Sequence, residues 1–238
     1  TTVAPTTTTV APTTTTVAPT TTAAACWSCA YEEATTTSTQ ENTTTVVSDE
    51  IGNVDSNDVS GTWSVDTTIG EFGIDEASGT FVGFRVKEVL GQGIGSATAV
   101  GRTPLVLGIV KIDGTTLIAA EIVADLTGLR TDRSMRDSRV QDALNTGVHP
   151  EATFVLAGPV DLGEGRQVQV PAPGSLTING VTNGVTVVLA AELVGRILAV
   201  VGTIDVVFSD YDVEAPTAPV VVSVEDHGII EVQLFLTR

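Results

Sequence analysis

From Trp63 to the C terminus, apolar and polar residues alternate in one run after another, and no stretch holds a helical period long enough to cover a sheet. In residues 80–87, Val82, Phe84 and Val86 share one face opposite Gly83, Arg85 and Lys87. In residues 116–126, Ile118, Ala120, Ile122, Ala124 and Leu126 share a face against Glu121 and Asp125. Ala152, Phe154 and Leu156 repeat the pattern, as do Ile230, Val232, Leu234 and Leu236. Repetition at period two predicts an antiparallel sheet with one apolar face. Turn residues separate the runs at Asp113-Gly114, Asn179-Gly180, Asn183-Gly184 and Asp226-His227-Gly228. Residues 185–208 are apolar enough to be tested as a membrane helix. They contain Glu192, Arg196 and Asp205, each costing roughly 2.5–3.5 kcal/mol at a bilayer centre. A hairpin turning near Gly195-Arg196 explains the alternation of Val185, Val187, Leu189, Ala191 and Leu193 instead.

Upstream of this region the composition is different. Residues 1–22 repeat TTVAPTT three times and begin a fourth unit, with Val3, Val10 and Val17 and with Pro5, Pro12 and Pro19 in register. A proline in every unit and so few apolar positions exclude a coiled coil. Thr/Pro-rich sequence cannot bury enough surface to offset its ordering entropy, so a disordered, extended spacer is expected. At the ~3.1 Å rise of polyproline II it reaches roughly 70 Å. Such stalks are also common sites of O-glycosylation. Residues 1–60 carry seven acids and no Lys or Arg. The expected organisation is therefore a low-complexity acidic stalk over 1–60 and one folded domain over 61–238.

An all-β domain without covering helices must bury its apolar face on itself, as a sandwich or a closed barrel. Closure also removes exposed strand edges. The inward set is small, with Ala120, Ala124, Ala191 and Gly202 among it, which would leave a barrel incompletely filled. An unfilled apolar lumen stays dry and accepts apolar guests. A filled barrel or a sandwich remains open at this point.

Several stretches carry a resemblance: GTFVGFRV (79–86), AVGRTPLVLG (99–108), Met135-Arg136-Asp137, HPEATF (149–154), GSLTINGVT (174–182), VVGTIDVVFSDY (200–211) and SVEDHGIIEVQLFLTR (223–238). In this order they resemble the YceI-like, lipid- or polyisoprenoid-binding family, most closely its actinobacterial branch. The resemblance implies an extended eight-stranded antiparallel, lipocalin-like barrel with an apolar lumen. It also implies a long isoprenoid or similar lipid as ligand, held outside the cytoplasm in the cell envelope, a periplasm-like space or the secreted fraction. Two positions depart from the family. Its His-Ser before the first Gly-Phe and its following His read Gly79-Thr80 and Glu88 here, and its Asn-Arg-Ser segment is replaced by Phe208-Ser209-Asp210-Tyr211.

The expected ligand-binding residues of the lumen are Val82, Phe84, Val86, Ile118, Ala120, Ile122, Phe154, Leu156, Val187, Leu189 and Leu234. Arg130, Arg133, Arg136 and Arg139 recur every three residues, a spacing that lines guanidinium groups along a short helix or 3₁₀ turn. They could clamp a phosphate or pyrophosphate head group, with Arg133 and Arg136 the candidates. Alternatively Asp132, Asp137 and Asp142 pair with them locally. Cys26-Trp27-Ser28-Cys29 has redox spacing without the βα context such a site needs, so a local disulfide or a free pair is expected. His149 and His227 fall in loops and read as surface residues. Gly91 to Gly95 lacks phosphate-cradle spacing.

No nucleophile–base set, carboxylate pair or metal motif is present, so a non-enzymatic binder is expected, with no cofactor other than a bound polyisoprenoid or quinone-like lipid and no metal. The chain carries 29 acids, 11 bases and a net charge of −18, which excludes nucleic acid and docking on anionic lipid. Membrane or cell-wall tethering through the upstream tail and a homodimer are both compatible with this design. The competing reading is a structural or adhesive β-domain on a Thr/Pro stalk with no small-molecule ligand.

Overall fold

A computed structural model describes residues 58–90, 95–216 and 221–238, which belong to a compact unit spanning Gly52–Arg238. The Thr/Pro repeats, Cys26, Cys29 and residues 91–94 lie outside the described set. Thirteen strand segments form one sheet, and eight of them close into an antiparallel barrel.

The ring begins with β1 (Gly61–Val65) and β4 (Val106–Asp113), paired with Trp63 opposite Val110. It continues through β5 (Thr116–Asp125), β7 (Glu151–Leu156), β9 (Gln167–Ile178), β10 (Val181–Val194), β11 (Ile197–Val207) and β13 (His227–Thr237). Ser64 against Thr237 and Val65 against Leu236 bring β13 back to β1 and shut it. The remaining strands extend this wall. β2 (Phe81–Leu90) pairs with β13 over Ile229–Gln233, β3 (Gly95–Thr103) lies on β2, and β6 (Arg130–Thr131) lies on β3. β8 (Val160–Asp161) pairs with β5, and β12 (Val221–Val224) with the far end of β2.

The residues tested as a membrane span are the β10–β11 hairpin, turning at Gly195 with φ 62°. No helix of the described residues is long and apolar enough to cross a membrane. The Asn179-Gly180 turn is present and joins β9 to β10, both residues having positive φ. Asn183-Gly184, expected as a turn, instead lies within β10. Asn183 sits opposite Leu176, and its amide donates to the Asp210 carbonyl at 2.6 Å, so a tertiary contact uses the turn-forming side chain.

The two barrel ends differ. At the end holding the 113–116 and 194–197 connections, Trp63, Ile112, Leu117, Leu193, Leu198 and Leu236 pack into one buried cluster. Trp63 is fully buried; its Nε1 donates to the Val59 carbonyl at 2.8 Å, and the Arg238 guanidinium lies 4.6 Å from the ring centroid. At the other end the chain leaves β5 through a 3₁₀ turn and enters the single short helix of the described residues, α1 (Asp137–Ala143). Outside the wall, Arg102 fastens the 66–80 loop to the sheet. It lies over the Phe81 ring at 4.2 Å, pairs with Glu231 at 2.9 Å and donates to the Ile74 carbonyl at 2.7 Å. Gln233 adds a bond to the Gly79 carbonyl at 2.8 Å.

Because Trp63 fills the closed end on the strand that completes the ring, Trp63→Ala is expected to cost about 3–5 kcal/mol. Urea unfolding would show it as a lower midpoint, and a loss below about 1 kcal/mol would mean this end stays packed without the indole.

Candidate functional site

A cavity of about 280 Å³ runs inside the ring, between the Trp63 cluster and α1. Its walls are almost entirely apolar because alternate residues of every ring strand point inward. Val82, Phe84, Val86, Ala120, Ile122, Phe154, Leu156, Val187, Leu189 and Leu234 all line it. Ile118 does not, and its expected place in the lumen is corrected. Leu117 pairs with Ile112 and Ala119 with Lys111, so β5 carries a bulge that leaves Ile118 without an opposite residue. The bulge shifts the alternation by one position. Leu117 is buried and lines the cavity, whereas Ile118 is 45% exposed on the outer surface. Sequence reading also passed over Val110, Ile112, Leu176, Ile204 and Val206, which line the cavity from β4, β9 and β11.

The bore stays open because glycines sit beneath its largest side chains. Phe84 lies opposite Gly101 and Phe154 reaches across Gly174; a Cβ on either glycine would clash with the phenyl ring. Each ring therefore lies along the wall instead of across the lumen. Gly202 gives Val187 the same room and Gly108 does so for Ile122. Small residues facing large ones on neighbouring strands are what hold the volume open.

Charge enters the lining at the α1 end only, through Glu88, Arg136 and Arg139. Glu88 sits on the far part of β2, 7% exposed, and its Oε2 accepts from Arg136 Nη2 at 2.6 Å. Arg136 Nη1 donates to Asp132 at 3.2 Å, so both terminal nitrogens meet carboxylates. The four arginines do not form one helical row. Arg130 is in β6, Arg133 precedes the 3₁₀ turn Ser134–Arg136, and Arg139 is in α1. Arg133, a head-group candidate, is not among the lining residues; its side chain is 54% exposed and only approaches Asp132, at 4.0 Å. Among the described residues Asp137 pairs with no arginine. It accepts from Thr131 N at 2.9 Å and Oγ1 at 2.7 Å, fixing the approach to α1.

Tyr211 also lines the cavity at this end, just after β11. It is 3% exposed, and its hydroxyl has no hydrogen-bond partner among the described residues. Burial, with Asp210 beside it, raises the phenol above its ordinary range. His227 is exposed and pairs with Glu225 at 3.2 Å. His149, expected at the surface, is half-buried, its ring packed against Gly180. No group of side chains suited to a metal occurs among the described residues.

The family model for a YceI-like domain matches residues 63–236. No curated protein sequence matches the chain. Solved structures that share the fold include two bacterial ones. The polyisoprenoid binding domain from Saccharophagus degradans, implicated in plant cell wall breakdown, has TM-score 0.54 at 18% identity, covering 74% of this chain and 97% of that one. BcnA of Burkholderia cenocepacia has TM-score 0.50 at 22% identity, covering 64% of this chain and 95% of its own.

Removing one partner of a buried ion pair leaves the other charge uncompensated. Arg136→Ala, which strands Glu88, is expected to destabilise the domain by about 3 kcal/mol, read from denaturant unfolding at pH 7. A loss under about 1 kcal/mol would show that Glu88 is solvated rather than held by Arg136.

Proposed function

The chain belongs to the YceI-like domain family, its match spanning residues 63–236, and on that premise we propose that it holds a long apolar lipid in its barrel. The ligand we infer is a polyisoprenoid or an isoprenoid quinone tail, sequestered or carried at the cell envelope outside the cytoplasm. The observation that carries this reading is the cavity itself, about 280 Å³ of apolar space closed at one end by Trp63 and its neighbours. An unfilled apolar cavity gains free energy from any guest that removes hydrocarbon from water, at about 0.8 kcal/mol for each buried CH₂. A prenyl chain offers many such groups and needs few polar contacts. The description of the Saccharophagus degradans domain as polyisoprenoid binding supports the same class of guest.

The reading is non-enzymatic. Glu88, Arg136, Arg139 and Tyr211, the polar groups named at the cavity, hold no nucleophile–base pair. The Thr/Pro repeats upstream would act as a spacer that tethers the barrel to a membrane or cell wall.

Organic extraction of the purified full chain, followed by mass spectrometry, is expected to release roughly one prenyl lipid per protein. Extraction that yields no lipid would overturn the carrier reading in favour of a surface module on a stalk. Ala120 and Ala191 line the bore on β5 and β10. Ala120→Phe and Ala191→Phe should each cut lipid retention at least tenfold. Overpacking would cost about 1–3 kcal/mol of stability, leaving the far-ultraviolet circular dichroism of an antiparallel barrel. Full retention in both variants would count against the lumen as the binding place.

A further inference from the structure

At the α1 end of the lumen the charges cancel before a ligand arrives. We propose that the Glu88–Arg136 pair makes this end selective for an uncharged, hydrogen-bonding head group, a hydroxyl or carbonyl, and rejects a diphosphate. The inference rests on the lipid-carrier reading and adds the class of head that the barrel accepts.

Three observations lead to it. First, Arg136, the lining cation with the most fixed geometry, already has its charge balanced, since Glu88 accepts from Nη2 at 2.6 Å and Asp132 from Nη1 at 3.2 Å. A diphosphate needs guanidinium groups that can turn both nitrogens toward its oxygens. Arg133 faces away, its side chain 54% exposed. Arg139 alone among the lining cations has no ion pair among the described residues, and it is exposed at the rim. One rim cation does not neutralise a diphosphate.

Second, Glu88 places a carboxylate in the lining with its side chain 9% exposed. Only Oε2 is committed to Arg136; Oε1 has no protein partner among the described residues. A carboxylate oxygen left open in the lining accepts a hydrogen bond from a donor that enters. A hydroxyl head supplies that donor, whereas a phosphate brings only further negative charge into a low-dielectric wall.

Third, the same end carries a neutral polar side chain, Tyr211, whose buried hydroxyl has no hydrogen-bond partner among the described residues. Strand register places it near Glu88 along the barrel axis. Val207 pairs with His227, Ile229 with Arg85, and Glu88 with Val224 just beyond. Tyr211 adds no charge, so the lining offers a diphosphate no cation beyond Arg136 and Arg139.

The test compares two ligands with one tail. Geranylgeraniol and geranylgeranyl diphosphate, both radiolabelled, are titrated into the delipidated full chain. The alcohol is expected to bind at least tenfold more tightly. Glu88→Gln, which keeps the shape and removes the charge, should narrow that ratio at least fivefold by strengthening diphosphate binding. A wild-type measurement at rising salt keeps the test independent of the variant's folding. Screening should raise diphosphate affinity relative to the alcohol if the end repels it, and lower it if arginines attract it. Tighter diphosphate binding by the wild type, an unchanged ratio in Glu88→Gln, or a salt-induced loss of diphosphate would each overturn the head-group assignment while leaving the lipid carrier intact. Binding of neither ligand would overturn the carrier reading and the assignment with it.

Discussion

Two residue pairs, Ser64 with Thr237 and Val65 with Leu236, turn an open sheet into a tube. Without them β1 and β13 would each expose an unpaired edge, and the inner face would have nothing to enclose. The closure is short because β13 is shared. Its last residues hold β1, and residues 229–233 hold β2. Trp63 stands beside this seam, fully buried, and turns the place where the ring closes into the place where the bore ends. Closure and the blind end are thus one packing event, carried by five residues of β1.

Enclosure alone would not give a cavity, since side chains readily fill a small barrel. Glycine at positions 101, 174, 108 and 202 lets Phe84, Phe154, Ile122 and Val187 lie against the wall. The loss of side-chain contact at each glycine is the stability cost of an unfilled core, and the lumen is its return. A guest that fills the space would regain contacts the protein forgoes. The charged end follows a different logic. Arg136, Glu88 and Asp132 satisfy one another, so the loop that leads into α1 is ordered without a ligand and the polar groups are already placed when one enters.

Much of the wall could be read directly from the chain. Where alternation runs unbroken, as at Val82-Phe84-Val86 or Val187-Leu189, the inward residues follow from period two alone. Ile118 shows where that rule stops. A bulge needs only one unpaired residue, and Thr116 to Ala120 offers no signal for it, since Leu117 and Ile118 are equally apolar. β9 was hidden differently. Pro171 and Pro173 argue against a central strand, yet the Pro173 carbonyl accepts from Ala157 N on the side facing β7, which pairs only with residues 174–177. The missing N–H groups of both prolines point to that same open side, so no ladder bond is lost. Arg139 and Tyr211 belong to the lining only because α1 and the 208–211 turn fold over one end, a placement with no local signature.

Sequence by itself determined the all-β class, the outward and inward faces of the regular strands, and the sharp change in composition between the Thr/Pro repeats and the folding domain. These follow from local chemistry: alternation, turn residues, and the inability of Thr and Pro repeats to bury surface. Tertiary structure decided which strands meet around the ring, where the alternation slips, and which arginine faces the lumen. Those depend on contacts between residues far apart in the chain, such as Glu88 with Arg136 or Val65 with Leu236. A carboxylate 48 positions from its partner carries no mark in the sequence of the charge it will meet.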